Sequence, residues 1–154
     1  MPVRKKRITK KVLVTKTIET LQPWLSLSDW KILVKFSSRM KTAADCEAFP
    51  EYKQAVIRFN PEFLTELSYY EVISLAVHEM CHCVVWPFSE WTEGLCRKNA
   101  EKLEVTRKLE EGLITNLEKI ITDMSIDIIQ GALTEENYST LDLTFKEFEI
   151  YNEP

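Results

Sequence analysis

The chain carries two histidines, and both lie in one apolar segment, "VISLAVHEMCHCVVWP" at residues 72–87. They stand four residues apart, in His78-Glu79-Met80-Cys81-His82. Just upstream, Ser68-Tyr69-Tyr70-Glu71 has the form of a capping box, a serine followed three residues later by a glutamate, which predicts a helix start. Pro87 is expected to stop that helix after Trp86. Residues four apart on a helix face the same way, so His78 and His82 project together from an element otherwise suited to burial. Two imidazoles in such surroundings need polar partners.

His-Glu-x-x-His on a helix is a zinc-site signature: one helical turn matches the bite of a tetrahedral metal, and neutral imidazole is a strong zinc ligand. Glu79, beside the first ligand, stands where it can take a proton from a water on the metal. Two readings compete. The histidines could be satisfied core residues, or Cys81, Cys83 or Cys96 could join them in a structural zinc site. The second is disfavoured because one helix cannot aim His78, His82 and both nearby cysteines at one point.

A catalytic zinc needs a third protein ligand and an open position. With no histidine left, that ligand is a carboxylate or a thiolate. From about Asn99 to Gln130 the apolar residues recur with helical spacing, and Gly131 suits the stop. Projected against Leu113, Ile114, Leu117, Ile120, Ile121, Met124 and Ile128, Glu110 falls near the centre of the apolar face. Glu111 and Glu118 fall at its border or beyond. A lone acid on a buried stripe calls for a cation, which puts Glu110 first as the third metal ligand and Glu111 second. Asp127, nearer the rim, could hold a histidine from behind.

The remaining pattern predicts an α+β domain. An amphipathic helix over 8–21 precedes Pro23. "DWKILVKF" reads as a strand, and "ADCEAF" and "QAVIRF" as a hairpin around "PEYK", giving a three-stranded sheet. Asn60-Pro61 opens a short helix. Residues 88–99 read as a loop around Gly94.

Charge is unevenly placed: the chain is strongly basic through Lys41 and acidic beyond it. The expected organisation is a basic N-terminal arm (1–7), one domain (8–131) and an acidic C-terminal tail (132–154) whose Leu141, Leu143, Phe145, Phe148 and Ile150 could pack. No apolar core follows the opening basic residues, so no secretory signal is expected. No run of about 18 uninterrupted apolar residues occurs, so no membrane span is expected and the cytoplasm is the default location. The four cysteines are then expected as reduced thiols.

At these residues the chain resembles zincin metallopeptidases of the small gluzincin (minigluzincin) kind. There an N-terminal helix and short sheet precede a His-Glu-x-x-His helix, and a further helix supplies a glutamate. "WKILVKF", "QAVIRFNP", "VHEMCHCVVWP" and "EEGLITNLEKI" are similar to segments of small metallopeptidases of phages and prophages. The resemblance implies one zinc ion on His78, His82 and a glutamate of the 110–111 pair, with Glu79 as general base. It also implies strand Gln54–Phe59 as the sheet edge that takes an extended peptide. A tyrosine among Tyr69, Tyr70, Tyr138 and Tyr151 would have to replace the oxyanion-binding histidine that gluzincins often carry. A related DNA-repair protease family uses a third histidine, and its absence argues against that assignment.

The expected function is zinc-dependent peptide-bond hydrolysis on a peptide or protein substrate. The alternative is a zincin-fold binding module without turnover, gripping nucleic acid or an acidic partner through basic residues 4–11. A further expectation is latency, through the acidic tail folding over the cleft or Cys46 reaching the zinc as a fourth ligand.

Overall fold

A computed structural model describes residues 5–139 and 141. Helix α1 (Lys10–Leu21) leads into strands β1 (Lys31–Phe36), β2 (Ala44–Phe49) and β3 (Gln54–Phe59). Helices α2 (Pro61–Glu66), α3 (Tyr69–Cys96) and α4 (Ala100–Glu135) follow. The α+β architecture, with its small sheet ahead of two long helices, is compatible with a small zincin-like domain.

Local chemistry accounts for most helix starts. Thr9 caps α1 by accepting from Val12 N–H, and Asn60 caps α2 by accepting from Glu62 N–H. Pro61 takes the first helical position, where its missing N–H costs nothing. Ser68 and Glu71 form the reciprocal capping box of α3: Ser68 Oγ accepts from Glu71 N–H, and Glu71 Oε2 accepts from Ser68 N–H.

The sheet order is β1-β3-β2, with β3 parallel to β1 and antiparallel to β2. The strand Gln54–Phe59 is therefore the centre of the sheet, contrary to the expectation that it forms the edge. A short 3-10 turn, Pro50–Tyr52, makes β2 and β3 neighbours, while β1 returns to β3's other side. With both sides of β3 occupied, β2 is the edge strand that packs on α3.

Helix α3 is the axis of the core. Its Val72, Ile73, Ala76, Val77 and Met80 are buried against Leu13, Val14 and Ile18 of α1, Ile57 and Phe59 of β3, and Ile114 and Ile129 of α4. By length and composition α3 could cross a bilayer, although it lacks an uninterrupted apolar run. Here 56% of its most apolar window is buried inside the domain. Such a helix is the pattern of a soluble domain's core helix as much as of a span.

Three helix boundaries depart from expectation. Pro87 does not end α3, which runs through it to Cys96, so most of the expected 88–99 loop is helical. Beyond the proline, Ser89 Oγ donates to Val85 O and Thr92 Oγ1 to Phe88 O. The break between the long helices shrinks to residues 97–99, with Asn99 capping α4 by accepting from Lys102 N–H. Helix α4 also passes through Gly131 and ends at Glu135. The stop lies at Asn137, in the left-handed region at φ 63°. Tyr138 N–H bonds to Leu133 O and Asn137 N–H to Thr134 O, the two bonds of a Schellman cap.

Helix α4 is rotated relative to the predicted wheel. Its buried residues are Ile114, Thr122, Ser125, Ile129 and Leu133. Ile120 and Met124 of the apolar series are 57% and 73% exposed.

Beyond α4, Gln130 brackets Leu141, donating to its carbonyl at 2.5 Å and accepting from its N–H at 3.2 Å. Of the basic arm, Lys6 joins Tyr138 in a short parallel bridge and holds its ammonium 5.5 Å from that ring. Residues 1–4, and Leu143, Phe145, Phe148, Ile150 and Tyr151 of the acidic tail, lie outside the described residues.

Candidate metal centre

His78 and His82 leave α3 on the side facing α4, with ring centroids 5.2 Å apart and planes at 74°. Across from them, Glu111 places Oε2 3.8 Å from His78 Nε2 and Oε1 3.8 Å from His82 Nε2. One ligand atom from each of the three residues lies within 4.8 Å of the others. Tetrahedral zinc with bonds of 2.0–2.2 Å sets its ligand atoms roughly 3.4 Å apart. The two 3.8 Å separations run to different oxygens of Glu111, and with one atom per residue the group lies within 4.8 Å, so modest side-chain rotations would close it on an ion; two imidazoles with one carboxylate are a set that zinc accepts. The residues present therefore fit the ion.

The carboxylate that meets the histidines is Glu111. Glu110 is half-buried one residue earlier and does not join the group, although its charge reaches His82. The difference follows from the rotation of α4. Glu111 lies three residues before buried Ile114 and seven before Glu118, on the stripe that faces α3. The wheel built on Leu113, Ile114, Leu117, Ile120, Ile121, Met124 and Ile128 favours Glu110 because those residues look apolar. In the fold, Leu113, Ile120 and Met124 remain largely exposed, and Thr122 and Ser125 occupy buried positions instead.

Burial lowers the pKa of His82, partly opposed by the charges of Glu111 and Glu110, a shift that favours the neutral ring. Glu79 is 5% exposed. Burial raises its pKa to about 7, partly opposed by His78 and reinforced by the charges of Asp45, Glu111 and Glu118.

Glu118 enters the site from α4 as well. Its Oε2 lies 2.9 Å from His78 Nδ1, and Ser74 Oγ donates to its Oε1. A cleft of about 410 Å³ opens beside these groups, lined by Ala43, Ala44, Tyr70, Ser74, His78 and Glu79 among others. Among the described candidates Tyr69, Tyr70 and Tyr138, Tyr70 is the one that lines this cleft. Its hydroxyl donates to Asp123 Oδ1 at 2.6 Å.

Cys46 does not join the metal group. Its Sγ lies 3.6 Å from Cys83 Sγ, between β2 and α3. All four cysteines are free thiols. Sequence alone gives Ser74 no role and offers Glu118 and Asp123 only as acids of the long helix. The signal for Glu118 was its spacing of seven from Glu111, two turns along one face.

The SprT-like family matches residues 14–99, more than half of the chain. The chain belongs to the SprT-like family. That membership agrees with the resemblance to small zincin metallopeptidases. The match takes in α1 from Val14, the sheet, α2 and α3, and ends before α4. It therefore includes the His-Glu-x-x-His helix and leaves Glu111 outside. The missing third histidine consequently carries no weight against membership in this SprT-like family. No curated protein and no solved structure matches the chain.

Proposed function

We propose that this SprT-like chain is a zinc-dependent metallopeptidase, with His78, His82 and Glu111 as ligands and Glu79 as general base. The supporting observation is the convergence of one carboxylate from α4 on two imidazoles from α3, beside a buried carboxyl of pKa about 7. Zinc held there would polarise a peptide carbonyl and bring the pKa of a water to about 7. Glu79 would be the residue to hold a proton taken from the attacking water on its carboxylate and to return it to the departing amine. Burial suits Glu79 to both halves, because a group that titrates near neutrality neither holds nor refuses a proton strongly. The substrate is an extended peptide lying along the open edge of β2 by strand addition. Two features favour this edge: β2 packs on α3, and Ala43 and Ala44 line the cleft beside Glu79.

The test uses the purified full chain. It is expected to hold one zinc per chain and to cleave an unfolded protein substrate. Glu79→Gln should keep the metal and lose at least about 100-fold in rate, the usual worth of a positioned general base. A chain that takes up no stoichiometric metal rules the proposal out. Equal cleavage by Glu79→Gln would remove its catalytic half.

A further inference from the structure

Glu118 holds both a histidine and a serine of α3, although it lies outside the segment that the family match covers. Its two oxygens are used separately. Oε2 faces His78 Nδ1 at 2.9 Å, while Oε1 accepts from Ser74 Oγ. The carboxylate is only 22% exposed, and Ser74 lies one turn before His78 on the same face of α3. An ionised carboxylate only accepts hydrogen bonds, so the proton of a neutral His78 must sit on Nδ1. The lone pair is then left on Nε2, the atom that faces Glu111 at 3.8 Å. Without this bond the ring could turn about its χ2 or carry its proton on Nε2, and either change withdraws the lone pair from the site.

We infer that Glu118, itself fixed by Ser74, is a positioning residue that locks His78 in the Nδ1–H tautomer and aims its Nε2 at the metal centre. The inference rests on the metal reading for its purpose, but the tautomer does not depend on any metal being bound. Bonds of this kind also raise the basicity of a ligating imidazole, and their loss typically costs 10- to 100-fold in metal affinity. Glu118 also ties the two long helices together at the site, so Glu111 and His78 are brought into register by a contact two turns away.

Having only two histidines makes the test direct. Long-range ¹H–¹⁵N spectra of the metal-free full chain, at a pH where both rings are neutral, report which nitrogen of each ring carries the proton. Wild type is expected to show His78 as the Nδ1–H form, with His82 as the internal reference. Glu118→Ala should shift His78 towards the Nε2–H form and weaken zinc binding 10- to 100-fold in competition with a chromophoric chelator. Glu118→Gln, which keeps an acceptor oxygen and the side-chain shape, should retain the Nδ1–H form and lose less affinity. It also serves if the alanine variant fails to fold.

An Nε2–H form of His78 in wild type would overturn the inference, as would unchanged zinc affinity in both variants. Loss of binding in Glu118→Ala as complete as in His78→Ala would also overturn it, by making Glu118 a ligand. Failure of the metal reading looks different: wild type would then bind no zinc while its His78 tautomer still responded to Glu118, and the hold would have no metal to serve.

Discussion

At the scale of single residues the site sets two carboxyls different tasks by their surroundings. Glu111 is more than half exposed and meets two imidazoles, whereas Glu79 is buried and its pKa is raised. The consequence for stability has a definite sign. Below about pH 4 Glu79 is protonated in both the folded and unfolded chain and contributes nothing. As pH rises from 4.5 towards 7, the unfolded chain ionises first, and folding must then retain a proton or bury a charge. Metal-free protein should therefore lose stability over that window, then level off, by an amount on the order of 3 kcal/mol. Urea titrations of chelator-treated protein at pH 4.5 and 7.5 will show it. Glu79→Gln should lack this component and be the more stable protein at pH 7.5. A wild type and variant that change alike with pH would contradict the burial assigned to Glu79.

At the scale of elements, what could be read in advance was what is encoded locally. The capping box at Ser68 and Glu71, the Asn60-Pro61 start and the four-residue spacing of His78 and His82 each depend on neighbours along the chain, and each is present. The identity of the carboxylate facing the histidines is not local. Glu110 and Glu111 differ by 100° around one helix, and only the docking of α4 on α3 chooses between them. Glu118 was obscured for the same reason, and so was β3's central place, which depends on where β1 returns. Pro87 misled differently. It removes one backbone donor from α3, but the helix resumes and its residues beyond the proline remain helical. Pro87→Ala should thus stabilise the protein, by about 2 kcal/mol once the looser unfolded chain is allowed for. A lowered urea midpoint in this variant would show that α3 needs the proline. Ser68→Ala, which removes a capping-box acceptor, should cost about 1 kcal/mol in the same assay.

At the scale of the whole molecule, the candidate ligands come from two consecutive helices that fold back on each other across the short break at residues 97–99. A metal held by His78, His82 and Glu111 would therefore act as a cross-link between α3 and α4. Zinc should raise the melting temperature, with free metal at 100 times Kd contributing about 2.7 kcal/mol. Chelation should reverse the gain. In their described parts the expected basic arm meets the expected acidic tail, through Lys6 at Tyr138, and the tail meets the domain, through Leu141 at Gln130. Whether the acidic tail governs the cleft is a proposal that deletion of residues 142–154 would test, with raised peptidase activity as the expected result and unchanged activity against it.

The central question is which carboxylate completes the site. Zinc affinity should be measured by chelator competition on wild type, Glu111→Ala and Glu110→Ala. One zinc per chain in wild type, at least about 100-fold weaker binding in Glu111→Ala and a change of no more than a few-fold in Glu110→Ala is the predicted result. Unaltered affinity in Glu111→Ala, or a loss confined to Glu110→Ala, would contradict it.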